Sequence, residues 1–496
     1  MAGSWRWLAV LVCLVVGLPA RAGWAAGAKA RRTNLVFILA DDLGWSDLGC
    51  YGNRLYRTPR IDALAAGGAR FTNFYCQAAC MPSRVGLLTG MNPSRFHDLY
   101  GAVQPCLTIP WEPLPPGEGT WAEALRSAGY ATGHIGKWGV RHWKDEGEGD
   151  RGFAWMACHQ PWYYLPNYLP PYEGEIAELK GRDAGHLVDY MTGRAEAFLE
   201  EHRDGPFALV LSHFAVHEPL KGQGKPAFVA AARERARALG VPVNADYAAL
   251  VEGLDDSTGR ILDKLDSLGL ADHTVVFFLS DNGGVDTPES PGEPPVTSNA
   301  PLRAGKATIY EGGLRVPCIV RWPGTVAPGT VRPDLASLED VYPTFLAMAG
   351  VPLPAGKHPD GFSLAPVLAG TGSTGRTEVA LQWEGAMLRR NRYKLIEFPP
   401  YVPTLAEIGA ARAKAKKKNK EAAFTPPTSE RLRIELYDLE ADPGEAHDLA
   451  AERPALVKEL RPRLHDWMKR MHGADHYSLE RVRADARSLG QVYPDP

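Results

Sequence analysis

Continuous apolar runs occur along the chain, and three of them end in clusters of polar residues. The runs span residues 34–40, 207–211 and 274–279. The polar clusters that follow them are Asp41-Asp42, Ser212-His213 and Ser280-Asp281-Asn282. Short runs that are apolar at every position are typical of strands in a sheet covered on both faces. Because ligands of open α/β sheets bind beyond the carboxyl ends of the strands, these clusters predict a functional site at that edge.

Helix-starting signals lie between the strand-like runs. Thr58-Pro59 places a capping residue before a proline at the first helical position. Residues 120–123, Thr-Trp-Ala-Glu, form a capping-box pattern, and this helix is expected to stop at Gly129. Strands that alternate with helices predict βαβ units. We therefore expect an α/β fold with a large mixed, mainly parallel sheet flanked by helices.

The pattern changes after about residue 370, where a Gly/Ser/Thr-rich linker occupies residues 370–375. Three short strand-like runs follow, at residues 380–383, 393–396 and 434–437. One face of a later helix carries Leu456, Leu460, Leu464 and Trp467. These patterns predict a small antiparallel sheet with one packed helix. We expect a main domain at 32–370 and a smaller α+β subdomain at 376–485.

The first 26 residues have the layout of a secretory signal peptide. Arg6 precedes an apolar run at residues 8–18, and Ala20-Arg21-Ala22 offers small residues for cleavage. The run is too short for a comfortable membrane span. We expect a secreted or periplasmic protein with no transmembrane anchor after cleavage of residues 1–26. An uncleaved N-terminal anchor is the alternative.

The charge of the chain is nearly balanced, with a formal net charge of -3 over 496 residues. Such a balance argues against nucleic acid as the main partner, since nucleic-acid binding favours a strongly basic face. An insert at residues 405–430 does carry a run of lysines. Runs of like charge are usually solvated. The alternative is a secondary contact with a polyanion such as a sulfated glycan.

Four of the polar residues at the strand ends carry hard oxygen donors. They are Asp41, Asp42, Asp281 and Asn282. Carboxylate and carboxamide oxygens suit Ca²⁺ or Mg²⁺ better than zinc. An Asp-Asp pair after a strand is often only a helix cap, and Asp-Asn-Gly-Gly is often only a turn. Two such pairs at strand ends of one chain favour a metal site.

A short motif begins at Cys80. Pro82 and Arg84 follow at the second and fourth positions, and Leu88-Thr89-Gly90 comes just after. This motif resembles the signature of the type I sulfatases, which belong to the alkaline phosphatase superfamily. The resemblance implies an alkaline-phosphatase-like fold. It also implies that a formylglycine-generating maturation enzyme oxidises Cys80 to formylglycine, whose hydrate attacks sulfate esters.

The same resemblance implies a ligand set for one Ca²⁺ ion. In this family the matching Asp-Asp and Asp-Asn pairs bind Ca²⁺ together with the formylglycine. The set in this chain is Asp41, Asp42, Cys80, Asp281 and Asn282.

The resemblance also implies roles for four further residues. Arg84, one helical turn beyond Cys80, would hold the formylglycine hydrate. Lys306, in a second signature at residues 301–317, would contact the sulfate, and Lys137, in Gly-Lys-Trp, would be a further cationic catalytic residue. His217 would protonate the leaving oxygen near neutral pH. His213 is a nearby alternative for that histidine.

One position departs from the family pattern. Many sulfatases have histidine directly after Gly-Lys-Trp, where this chain has Gly139. That histidine is commonly credited with activating the hydrate. His142 and His159 are the candidates for its replacement, so the identity of the base stays open.

The sequence as a whole predicts a secreted sulfatase. The resemblance extends from about Asn34 to at least Trp467. The substrate is expected to be a sulfated small molecule or carbohydrate, by analogy with exported family members. A phosphonate or phosphate monoester hydrolase on the same scaffold is one alternative. A non-catalytic sulfated-glycan-binding protein, with Cys80 unconverted, is the other.

Overall fold

A computed structural model describes residues 32–96, 114, 117–140, 151–160, 167–172, 176–398 and 432–472. The predicted signal peptide, the basic insert and His142 lie outside these residues. Among the helices of the described ranges, none is long and apolar enough to cross a membrane.

The main sheet has eight strands in the order β4-β3-β5-β1-β6-β7-β2-β8 within the described residues. They are β1 Asn34–Ala40, β2 Ala69–Tyr75, β3 Ala131–Lys137, β4 Trp155–Gln160, β5 Phe207–Ser212, β6 Thr274–Ser280, β7 Arg315–Arg321 and β8 Thr330–Ser337. Strand β7 runs antiparallel to both of its neighbours, and the other neighbouring pairs are parallel. The predicted mixed, mainly parallel sheet is confirmed.

Helices cover both faces of this sheet. They are α1 Pro59–Ala66, α2 Cys80–Thr89, α3 Trp121–Ser127, α4 Leu187–Glu201, α5 Pro226–Leu239, α6 Ala245–Ser267, α7 Glu311–Leu314, α8 Val341–Ala349 and α9 Ala365–Leu368. The capping box of α3 is confirmed, because the Glu123 amide donates to the Thr120 hydroxyl at 3.1 Å and the Glu123 carboxylate accepts from the Thr120 amide at 2.8 Å.

Alternate residues of the central strand β1 enter two different cores. Val36 and Ile38 pack on one face with Leu250 of α6. Phe37 packs on the other face against Phe345 of α8, with ring centroids 5.6 Å apart. Burial on both faces explains why β1 is apolar at nearly every position.

In the C-terminal part of the described chain, a second sheet has four antiparallel strands. Its strands are β9 Glu378–Gln382, β10 Ala386–Arg390, β11 Tyr393–Phe398 and β12 Arg433–Asp438, and helix α10 spans Pro454–His472. Leu460, Leu464 and Trp467 of α10 pack on the face formed by Leu388 and Leu395. The predicted small sheet and its helix are confirmed. The proposed domain boundaries stay a prediction.

Strand β10 was not predicted, because its second half is polar. Arg389 is nevertheless buried, with 5% of its surface exposed, and its guanidinium donates to the Tyr75 hydroxyl. Long-range pairing of this kind leaves no local pattern in the sequence.

The sheet order places three carboxyl ends side by side. Strand β1 lies between β5 and β6, with Leu39 opposite Ser212 and Ala40 opposite Ser280. The polar clusters at residues 41, 213 and 281 therefore meet at one edge, as the sequence predicted.

Candidate active site

Backbone hydrogen bonds tie the three strand ends together just beyond the sheet. The Asp41 amide donates to the Ala215 carbonyl at 2.9 Å, and the Val216 amide donates to the Asp41 carbonyl at 2.7 Å. The Asp281 amide donates to the Ala40 carbonyl at 3.2 Å. These bonds hold Asp41 and Asp281 next to each other.

Asp42 adopts a left-handed backbone conformation, with φ of 63°. Few residues other than glycine adopt this conformation without a local hydrogen bond to support it. The Asp42 amide donates to Asp281 Oδ1 at 3.2 Å, and Asn282 Nδ2 donates to Asp42 Oδ1 at 2.8 Å. The turn thus brings the side chains of Asp42 and Asn282 into one cluster.

The oxygen donors at this edge fit a divalent cation. One ligand atom each from Asp41, Cys80 and Asp281 lies within 4.8 Å of the others. Asp41 Oδ1 and Asn282 Oδ1 are buried and accept no hydrogen bond from any residue that the structure describes. Buried polar atoms are nearly always paired, so two such oxygens in one group of neighbouring loops fit the binding of a cation. Their chemistry suits Ca²⁺ or Mg²⁺.

The charges of the cluster also fit a bound divalent cation. Burial, followed by the negative charge of Asp41, raises the pKa of Asp281 to about 7. Burial also opposes ionisation of Asp41, but Lys137, His217 and Arg84 outweigh it and hold the pKa of Asp41 well below its usual range. A bound dication would favour the ionised form of each carboxyl group.

Cys80 is the first residue of α2 and is 3% exposed. Burial raises the pKa of the Cys80 thiol, although Lys137 and Lys306 act in the opposite direction. A thiol that stays protonated is a poor nucleophile. The position of Cys80 beside the acidic cluster therefore does not make the unmodified thiol reactive.

Arg84 lies one turn along α2 and is held on three sides. Its Nε and Nη2 donate to Asp281 Oδ2 at 3.0 and 2.7 Å. Its Nη1 donates to the Lys137 carbonyl and the Ser212 hydroxyl, both at 2.7 Å. This buried guanidinium links the end of β6 to the ends of β3 and β5.

The two predicted lysines lie at different depths. Lys137 is fully buried, and its Nζ binds Asp41 Oδ2. Burial opposes the charge of Lys137, but Asp41 and Cys80 overcome this effect and raise its pKa. Lys306 Nζ lies 2.7 Å from Asp42 and its side chain is 15% exposed. Lys306 is therefore the lysine that a ligand from solvent reaches first.

The histidines near the cluster separate into two groups. His217 Nε2 lies 3.6 Å from Asp42 Oδ2, and its Nδ1 is 2.9 Å from the Glu218 carbonyl. A carbonyl partner assigns the proton of the neutral ring to Nδ1 and leaves Nε2 facing the acidic cluster. His213 instead bonds to the Ser257 hydroxyl of α6 at 3.0 Å.

Gly139 occupies the place where the family pattern has histidine. Its φ is 68°, and a Cβ atom added there would overlap the Arg84 side chain. A histidine would require both the backbone and Arg84 to move. His159 lies nearby, with its ring centroid 5.6 Å from that of Trp138. His142 lies outside the described residues.

Sequence reasoning did not identify all the residues that shape this site. Ser212 donates to the Lys137 carbonyl at 2.7 Å and accepts from Arg84. Its place at the end of a buried strand was a usable signal. Thr297 and Asn299 are also buried beside the acidic loops, at 4% and 2% exposure. No local pattern distinguished these two from ordinary loop residues.

Two family profiles match this chain. The profile of the family described as Sulfatase matches residues 33–351. A second profile, N-sulphoglucosamine sulphohydrolase, C-terminal, matches residues 304–407.

Two human proteins are similar over most of the chain. N-acetylgalactosamine-6-sulfatase of Homo sapiens is 34% identical over 373 residues, which cover 70% of this chain and 67% of that protein. Arylsulfatase A of Homo sapiens is 34% identical over 487 residues, which cover 88% of each.

A solved structure from Bacteroides thetaiotaomicron is also similar, and its description concerns metabolism of multiple glycosaminoglycans. It superposes with a TM-score of 0.68 at 26% identity and covers 88% of this chain and 100% of that one.

Proposed function

The chain belongs to the sulfatase family, whose members hydrolyse sulfate esters, and from this premise we propose that it is an exported carbohydrate sulfatase that uses formylglycine at position 80 and Ca²⁺. The observation that carries the proposal is the grouping of Cys80 with Asp41 and Asp281 within 4.8 Å. Lys306 lies at the exposed side of the same cluster.

Formylglycine and Ca²⁺ would supply part of the chemistry. A formylglycine hydrate supplies a hydroxyl nucleophile that can later release sulfate, which a thiol does poorly. A bound Ca²⁺ supplies positive charge beside that nucleophile and the sulfate oxygens. Asp41, Asp42, Asp281 and Asn282 would hold the ion, together with residue 80.

The cationic side chains of this site have separate tasks in the proposed reaction. Arg84 and Lys137 orient the group at position 80 from the buried side. Lys306 binds a non-bridging sulfate oxygen from the open side. Positive groups fixed before the reaction stabilise charge that develops in the transition state.

His217 is placed to complete the cleavage. Its Nε2 faces the same cluster as Lys306, 3.6 Å from Asp42 Oδ2. We assign it the delivery of a proton to the leaving oxygen of the substrate, the task that an alcohol leaving group requires. Because Nδ1 keeps the proton of the neutral ring, the ring must take up a second proton at Nε2 before it can donate.

The proposed substrate class rests on the relatives. One is named for N-acetylgalactosamine 6-sulfate chemistry, and a solved neighbour is described with glycosaminoglycan metabolism. Arylsulfatase A is equally similar by identity, so aryl sulfates are the natural reference substrate.

The experiment uses the full chain, co-produced with a formylglycine-generating enzyme. Mass spectrometry of the peptide across residues 71–95 should show the aldehyde at position 80. Turnover of an aryl sulfate should be lost in Cys80→Ala. Full activity with an unmodified thiol would refute the formylglycine assignment.

Substrate class and metal are tested separately with the same preparation. A panel of defined sulfated saccharides should include at least one with a higher kcat/KM than the aryl sulfate. If every saccharide is inert, the carbohydrate proposal is wrong. Elemental analysis should find calcium, and another metal at full occupancy would refute the choice of ion.

Export is the remaining part of the proposal and is supported by the apolar run at residues 8–18. N-terminal sequencing of protein recovered from the periplasm or medium should start after residue 26. Recovery of intact chain in the membrane fraction would favour the uncleaved anchor.

A further inference from the structure

Two buried side chains of the segment at residues 297–299, those of Thr297 and Asn299, lie between the loops that carry the acidic cluster and Lys306. At one end, the Thr297 hydroxyl donates to Asp47 Oδ1 at 2.6 Å. Asp47 in turn accepts from the Gly44 amide at 2.7 Å, two residues beyond Asp42. This end of the segment therefore braces the loop that follows β1.

Asn299, at the other end, binds two further loops. Its Oδ1 accepts from the Gly284 amide at 3.2 Å, and its Nδ2 donates to the Gly284 carbonyl at 2.9 Å. The same Nδ2 donates to the Ala304 carbonyl at 3.0 Å. Gly284 lies two residues after Asn282, and Ala304 lies two residues before Lys306. One carboxamide thus joins the metal-ligand loop to the lysine loop.

Glycines make this close approach possible. A Cβ atom on Gly284 would lie 2.5 Å from Thr297 Cγ2 and 3.1 Å from Gly44 Cα. The Gly284 carbonyl also accepts from the Lys306 amide at 3.0 Å, so it receives donors from both Asn299 and Lys306. The backbone of Lys306 is therefore set directly against the metal-ligand loop.

We propose that Asn299 is a positioning residue that sets the place of Lys306 relative to the metal ligands and thereby controls sulfate binding. The inference rests on the proposed role of Lys306 as a sulfate contact. Asn299 is 2% exposed and its described side-chain bonds go to backbone groups of the two loops, so it acts through Lys306 and does not touch substrate.

The experiment is a double-mutant cycle in the matured full-length enzyme. Asn299→Asp keeps the shape and the acceptor for the Gly284 amide but removes both donated bonds. We expect kcat/KM for an aryl sulfate to fall roughly 10- to 100-fold, as for other small displacements of a catalytic group. The inhibition constant for inorganic sulfate should rise in parallel, while kcat changes less than KM.

The cycle distinguishes positioning of Lys306 from a general loss of structure. In the Lys306→Ala background, Asn299→Asp should lower kcat/KM by no more than roughly a further 2-fold, because the lysine that Asn299 positions is already absent. Thr297→Val is the matched control, since it removes a buried hydrogen bond of the same segment on the side of Asp47. The fold-loss in kcat/KM caused by Thr297→Val should multiply with that caused by Lys306→Ala.

Each other outcome overturns the inference. If the fold-losses in kcat/KM caused by Asn299→Asp and by Lys306→Ala multiply in the double variant, Asn299 acts independently of the lysine. Near-normal turnover of Lys306→Ala would refute both the role of Lys306 and the inference, and is thus distinguishable from failure of the inference alone. If Asn299→Asp does not fold, Asn299→Ser is subjected to the same cycle, with the same results expected.

Discussion

Lys394 is a buried lysine between two carboxylates, and its removal tests how the two sheets are joined. Lys394 is 0% exposed and lies 3.0 Å from Glu311 and 2.8 Å from Glu445. Glu445 also accepts from the Glu311 amide at 2.7 Å, at the start of α7. Since Lys394 belongs to β11 and Glu311 directly precedes β7 through α7, the cluster links the C-terminal sheet to the main sheet.

We expect Lys394→Met to destabilise the protein strongly. Removing one partner of a buried charged group costs about 3–5 kcal/mol, because the remaining charges lose their compensation. Unfolding entropy of about 2.1 cal/mol/K per residue converts this cost to a fall in Tm of about 3–5 °C for a chain of this length. Differential scanning calorimetry at pH 7.5 is the assay.

The pH dependence of the loss provides an independent check. Burial, opposed by Lys394, raises the pKa of Glu445 to about 7. A carboxyl group with a raised pKa favours folding below its unfolded pKa of about 4.5, and this contribution is lost as pH rises through 7. Burial acts to raise the pKa of Glu311, but Lys394 and Arg389 outweigh it and lower this pKa to about 2. The contribution of Glu311 to folding stability is therefore present above a pH of about 4.5 and is lost only as pH falls towards 2.

Without the lysine, protonation of Glu445 should relieve part of the repulsion. The deficit in Tm of Lys394→Met should therefore be smaller at pH 5.5 than at pH 8, and Glu445→Gln should partly rescue it. Lys264→Met, which removes an exposed ion pair with Glu200, is the matched control and should leave Tm unchanged. A change in Tm for Lys394→Met as small as that of the control would contradict the stabilising role assigned to the buried cluster.

Three further predictions concern the site and the core. Chelation of divalent ions should abolish aryl sulfate turnover and lower Tm, and Ca²⁺ should restore both, because Asp41 and Asn282 each have a buried oxygen that accepts no hydrogen bond within the described residues; retention of full activity after exhaustive chelation would contradict the metal assignment. Gly139→His should lower both Tm and kcat/KM by displacing Arg84, and a gain in activity would show that the loop accommodates the family's usual histidine. Leu464→Ala should cost about 2–5 kcal/mol as measured by urea unfolding, because this side chain is 0% exposed in the core beneath α10; a cost below about 1 kcal/mol would contradict the packing of that helix.

Local patterns in the sequence were enough to predict the fold class, three central strands of the main sheet and the small C-terminal sheet with its helix. Strand β1 and helix α3 were predicted within two residues of their observed ends, because a doubly buried strand must be apolar and a capping box satisfies local amides. Strand β10 was missed, because its Arg389 is buried against partners far away in the chain, including the Tyr75 hydroxyl 314 positions away and Asn73. Sequence patterns reveal periodicity, and they do not reveal such partners.

The chemistry available to this protein can be read from local features of the sequence. They are hard oxygen donors after two strands, Cys80 at the start of a helix with Arg84 one turn later, and two lysines in glycine-rich loops. Those features are local, since strand ends and helical spacing bring their members together. Tertiary packing leaves the Lys306 side chain 15% exposed while it buries Lys137, and it directs His213 towards α6. It also placed Asn299 between the loops of Asn282 and Lys306. The physical reason is that depth, side-chain direction and contacts between loops depend on how distant segments pack, and no spacing along the chain encodes them.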